Sequence, residues 1–253
     1  MTIDCMKERM ITVQLRSTIF LQQNIGYTPE NAEKFRNLLM PGCKIYGIVQ
    51  PGIPMLGVNP TVPQYGMSWR LFKKCDDGGE YNIAFQPGKI DIVFAHETPY
   101  GDDIEKNFCD QSIEWFTKIL DTQGNEPVLR IAYAPLYAIM KDAEFTGDAI
   151  WSSILKKTAF NGVQFQDINL TFLLKRQINF NGTDIQMNLL HTIFDGVQTK
   201  TENDSQIIHN VFLFQFDLNS IPEKILNMDK EGIAAFFNGI LEIKNNLVDN
   251  VIA

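Results

Sequence analysis

Apolar and polar residues alternate in three short runs between residues 67 and 94. Trp69 and Leu71 set the phase of the first run, with Phe72 slightly off it. Tyr81, Ile83 and Phe85 set the second, and Ile90, Ile92 and Phe94 the third. A period of two predicts strands with one buried face. Asp76-Asp77-Gly78-Gly79 and Pro87-Gly88 lie between the runs and supply the turns of a meander. The period then lengthens to that of a helix. Phe108, Ser112, Trp115, Phe116, Ile119 and Leu120 share one side, and the helix is expected to stop near Gly124. Asp102 and Glu105 have the spacing of a capping box at its start.

The succession returns over residues 163–251. Asn181-Gly182, between two β-rich runs, signals a type I′ hairpin. A polar loop is expected over 196–206 and a strongly apolar strand over 211–216. The last helix is expected to begin near Asp229. Its stripe holds Ile233, Phe236, Phe237, Ile240, Leu241, Lys244, Leu247, Val248 and Val251. Each meander is also preceded by a strand and a helix. In the first half these are a strand over 10–22 and a helix that starts at Thr28-Pro29 and ends near Met40, with a further strand over 44–49. In the second half they are an apolar strand over 128–133 and a helix over 148–158.

A meander hides its apolar face under a helix laid across it. The pattern therefore predicts an α+β protein of two similar lobes, each an antiparallel three- or four-stranded meander covered by a long amphipathic helix. The lobes are expected over 1–141 and 142–253, or as one continuous two-lobed domain, and an internal duplication would explain the repeated order. Residues 51–66 carry four prolines and three glycines, a density that no regular element survives. A loop this long suits contact with a partner.

At 253 residues the chain can bury a core without a metal or disulfide. Its formal net charge of −8 and lack of a basic stripe argue against nucleic acid, whose phosphates must be neutralised. No run approaches the roughly 20 apolar residues that cross a bilayer, so no membrane span is expected. Residues 1–10 lack a signal-peptide core, and Cys5, Cys43, Cys75 and Cys109 follow no metal-ligand spacing. These features point to reduced thiols and a cytoplasmic location.

Signals for chemistry are weak. No nucleophile elbow, phosphate loop or dinucleotide fingerprint occurs, so no cofactor and no metal site is predicted. His96 beside Glu97, and His191 near Asp195, could each be a tuned base; His209 opens a strand. Arg130 interrupts an apolar strand. It either points outward, pairs with a buried acid, or anchors a carboxylate or phosphate. Trp69 and Tyr100 lie near loops and serve either as core or as a binding platform. Trp69, His96, Tyr100 and Arg130 are the candidate binding residues.

Trp69-Arg70-Leu71-Phe72, Gly88-Lys89-Ile90-Asp91-Ile92, Tyr100, Trp115-Phe116, Leu129-Arg130-Ile131 and Phe216-Asp217-Leu218 together resemble a sporadically distributed family of uncharacterised bacterial proteins of about this length. The likeness spans most of residues 65–251. Where that family would place a second arginine and an asparagine after Arg130, this chain has Tyr133-Ala134-Pro135. The resemblance implies a two-part α+β fold in a bacterial cytoplasm and carries no activity.

These observations favour a non-catalytic binding or protein-interaction module that meets a protein partner through loop 51–66 or an edge strand. The alternatives are an enzyme whose site assembles from His96, Glu97, Asp195 and Arg130, and a small-ligand-binding protein.

Overall fold

The computed structural model describes residues 7–48, 68–141, 169–202, 205–223 and 225–252. Loop 51–66, the helix expected over 148–158 and the start of the second meander lie outside them. The fold is mixed α+β with a mostly antiparallel sheet, and strand outweighs helix.

The first half runs β1 (Met10–Phe20), α1 (Pro29–Leu39), β2 (Lys44–Ile48), β3 (Ser68–Lys74), β4 (Glu80–Gln86), β5 (Lys89–Pro99) and α2 (Asp102–Thr122). The second runs β6 (Arg130–Tyr133), β7 (Leu136–Met140), β8 (Asn169–Phe180), β9 (Thr183–Glu202), β10 (Ser205–Ser220) and α3 (Lys230–Ile252). One sheet holds every strand, in the order β2-β3-β4-β5-β1-β6-β10-β9-β8, with β7 between β1 and β10. From one edge the order is β2-β3-β4-β5-β1; from the other it is β8-β9-β10 and then β6 and β7. The two series meet where β1 pairs antiparallel with β6 and β7.

The meanders form as the period of two predicts. Glycines occupy left-handed positions at Gly78 and Gly88, and Asn181-Gly182 closes the β8–β9 hairpin with φ of 48° and 92°. Those positive angles are what a type I′ turn requires. Three details differ from the sequence reading. Residues 196–202 continue β9, and β10 begins at Ser205, so the expected polar loop is two long paired strands. Residues 136–140 form β7, which the pattern hides because Pro135 breaks the run. Proline cannot donate to a ladder, so β6 and β7 follow each other along the same edge of β1 with an irregularity at residues 134–135. Finally, α2 is capped by Gly101 without a side-chain bond, and Asp102 lies one position inside the helix. Glu105 does not reach back to the helix start but turns inward.

Helices α1, α2 and α3 cover one face of the sheet. In α1, whose N-cap Thr28 accepts from the Asn31 N–H, Phe35 packs on Trp69 and Phe85. Ser112 of α2 accepts a 2.8 Å bond from the buried Ser17 of β1. α3 buries Ile233, Phe236, Phe237, Ile240 and Val248. Phe237 stacks on Phe116 of α2 at 6.0 Å, and Phe236 meets Phe180 of β8 at 5.1 Å. α2 and α3 run antiparallel, since Asp102 bonds Asn245 at one end and Asp121 pairs with Lys230 at the other. No described helix is long and apolar enough to cross a membrane.

Candidate functional site

Strand register decides which side chains share the face opposite the helices. Tyr46, Arg70, Ala84, Asp91, Thr18 and Ala132 form one row across β2, β3, β4, β5, β1 and β6. Gln86, Lys89, Phe20 and Arg130 form the next row, and Phe72, Asn82, Val93 and Arg16 lie on the other side of the first. None of α1, α2 and α3 touches this face.

Two arginines are stacked on rings there. The Arg130 guanidinium carbon lies 4.6 Å from the centre of the Phe20 ring, and that of Arg70 lies 5.3 Å from the Tyr46 ring. Each pair is a cross-strand neighbour. The Nε of both arginines is buried with no hydrogen-bond partner among the described residues, so each guanidinium is held by its ring. The acids nearby are engaged. Asp91 accepts from Thr18 at 2.6 Å, Gln86 at 2.9 Å and Lys89 at 2.8 Å, and Glu80 pairs with Lys74 at 3.2 Å. Arg16 is exposed, as is Lys44 at the edge.

The structure does not bring the four candidate binding residues together. Trp69 is fully buried on the helix-covered face, stacked on Phe85 at 4.0 Å, and its indole donates to the Ile25 carbonyl. It is core. His96 is half-buried at the far end of β5, tilted against Phe94. Arg130 lies half-buried on the opposite face, and no acid pairs with it among the described residues. Tyr100 belongs to a buried cluster of its own. His191 is 3% exposed, sandwiched with Phe172 and with Phe216 at 4.4 Å, and both ring nitrogens lack a hydrogen-bond partner among the described residues. Burial lowers its pKa to about 4. Asp195 forms an ion pair with Lys141.

The cluster around Tyr100 escaped the sequence reading. Glu105 of α2 and Lys244 of α3 are fully buried and lie 2.9 Å apart. Tyr133 and Tyr137 donate to the two Glu105 oxygens at 2.8 and 2.7 Å. Lys244 also donates to the Tyr100 hydroxyl at 3.0 Å and lies over the Tyr100 and Tyr137 rings. Burial, and then the Glu105 charge, push the Tyr133 and Tyr137 phenols well above their ordinary range, so both stay protonated donors. The signal was a cation inside the terminal helix's apolar stripe, and an acid in phase with Phe108 and Ser112. Glu105, Lys244, Tyr133 and Tyr137 are buried and Tyr100 is half-buried at their edge; the Glu105–Lys244 pair ties α2 to α3.

A third feature is a groove of about 780 Å³ between β8 and α3, lined by Phe172, Leu174, Arg176, Ile178, Ile243 and Leu247 among others. Among the described residues no group of three or more His, Cys, Asp or Glu gathers in a way that could hold a metal ion. No protein-family model and no curated protein matches the chain.

Proposed function

We propose that this protein is a non-catalytic binding module and that its contact surface is the helix-free face of the sheet. One observation carries the reading. Helices α1, α2 and α3 lie on one face, and the other presents Phe20, Tyr46 and Phe72 with Arg16, Arg70 and Arg130 around them. Arg70 and Arg130 are half-buried, above a row in which Thr18, Ala84, Asp91 and Ala132 are buried. Each guanidinium is held over a ring without an acid partner among the described residues, and so can meet a binding partner at little reorganisation cost. Loop 51–66 enters the same reading through its anchors. Ile48 and Ser68 are cross-strand neighbours at the β2 edge, beside Arg70 and Tyr46.

The finer description of the fold belongs to this proposal. Two similar lobes, produced by duplication of one strand–helix–meander–helix unit, account for the mirrored strand order and the antiparallel α2–α3 pair. Membership of the sporadically distributed bacterial family fits the same picture. A reducing cytoplasm suits the free thiols Cys43, Cys75 and Cys109, each pushed up from the ordinary thiol range chiefly by burial.

The test is site-specific photo-crosslinking in the cells that make the protein. Benzoyl-phenylalanine at Phe72, on the open face, is expected to yield a discrete adduct, and the same group at Glu114, on the exposed side of α2, to yield none. Adducts from Glu114 alone would contradict the proposal. The groove beside β8 supports a second reading, small-ligand binding, which a metabolite-induced rise in melting temperature abolished by Leu174→Arg would favour.

A further inference from the structure

We propose that the helix-free face binds an extended acidic polypeptide, with Arg16, Arg70 and Arg130 taking its carboxylates. The inference rests on the binding-module reading and names the partner's chemistry.

Charge gives the first argument. Across β2 to β6 this face carries Lys44, Arg70, Lys74, Lys89, Arg16 and Arg130 against Glu80 and Asp91. Both acids are already paired, with Lys74 and Lys89. Lys44 and the three arginines have no carboxylate partner among the described residues. A chain with a net charge of −8 thus concentrates unpaired positive charge on one surface. Such a surface selects negative partners and speeds encounter with them.

Spacing gives the second. Arg70 on β3 and Arg130 on β6 are separated by β4, β5 and β1. Four strand steps at about 4.8 Å place them roughly 20 Å apart, with Arg16 between. A single phosphate or carboxylate metabolite cannot touch all three. An extended chain of about six residues spans that distance. Residue type gives the third. A guanidinium held over a ring keeps its planar fork of N–H groups partly pre-positioned, and that fork matches a carboxylate. Phe20, Phe72 and Tyr46 between the cations offer apolar contact to side chains that alternate with the acids. Nucleic acid fits less well. Its charge continues along the strand, whereas this face bears Asp217 on β10 beyond the cationic half.

The test is fluorescence anisotropy with the full chain and three labelled probes: a Glu-rich peptide with Leu at intervals, its Gln-for-Glu counterpart, and a single-stranded oligonucleotide of matched charge. The account expects the Glu peptide to bind, more weakly as salt rises, and the Gln peptide not to bind. Arg16→Glu, an exposed substitution that leaves the core alone, and Arg130→Gln are each expected to weaken binding about tenfold. Lys118→Glu, on the helix side, is expected to leave it unchanged. Tighter binding of the oligonucleotide, no binding of the Glu peptide, or indifference to Arg16→Glu would overturn the proposal. If crosslinks form at Phe72 while the Glu peptide does not bind, the face is a contact surface for a different partner, and only the acidic-partner inference falls.

Discussion

His191 shows how one side chain can set the acid limit of the fold. It occupies an aromatic position among Phe172, Phe214 and Phe216, where desolvation disfavours the imidazolium and lowers the pKa from 6.5 to about 4. A depressed histidine binds its proton more readily in the unfolded chain. Its contribution is therefore intact above pH 6.5 and is lost as pH falls towards 4, by up to about 3 kcal/mol. His191→Phe keeps the stack and removes the titration. The variant should match the wild type in urea midpoint at pH 8 and exceed it at pH 4.5; equal losses in both proteins would show that the imidazole does not titrate in this window.

Glu105 and Lys244 make a second residue-scale case. A buried pair costs more to break than to replace, because the partner left behind stays charged in the core. Lys244→Met is expected to cost about 3–5 kcal/mol, read by urea denaturation. The double variant Glu105→Gln/Lys244→Met should recover part of that loss, since a glutamine carbonyl can still accept from a tyrosine hydroxyl. A double variant no better than the single would mean that packing, and not the stranded charge, dominates.

At the scale of the element, the α2 N-terminus lacks a side-chain cap. Gly101 has an extended backbone, with φ −173° and ψ 144°, and a Cβ there would meet nothing within 4 Å. Gly101→Ser should therefore stabilise by roughly 0.5–1 kcal/mol through a new cap and a less flexible unfolded chain. A lower melting temperature would contradict that account. This end of α2 also shows why the sequence reading slipped. Asp102 and Glu105 satisfy the capping-box spacing, but tertiary partners on β6, β7 and α3 claim the glutamate. The strands of the first meander, α1, α2 and α3 were legible because each presents one apolar face at a fixed period, whereas the β8–β9 hairpin was legible through its Asn181-Gly182 turn. β7 was not, because a proline splits a short strand whose pairing depends wholly on β1 and β10. The extension of β9 through Glu202 and the start of β10 at Ser205 were hidden for a related reason. Few apolar residues recur there at a fixed period, and the strands are defined by their cross-strand ladder.

For the whole molecule, the consequence of the topology lies in what the helices leave open. Periodicity foretold a mixed α+β fold in which amphipathic helices cover antiparallel strands. It could not tell that the meanders would share one sheet, because strand order depends on contacts between β1, β6, β7 and β10 that are remote in sequence. The candidate surface was unreadable for the same reason. Arg130 stood out, but its association with Phe20, Lys89 and Arg16 exists only through register, and Arg70 was noted merely as part of a motif. The two sheet edges, β2 and β8, and the exposed Phe172, Leu173 and Leu174 form the competing surface. Hydroxyl-radical footprinting of the full chain, with and without the Glu-rich peptide, separates the two most directly. The account predicts that Phe20, Tyr46 and Phe72 become protected while Phe172 and Leu174 continue to oxidise; protection of Phe172 and Leu174, with the open face unchanged, would contradict it.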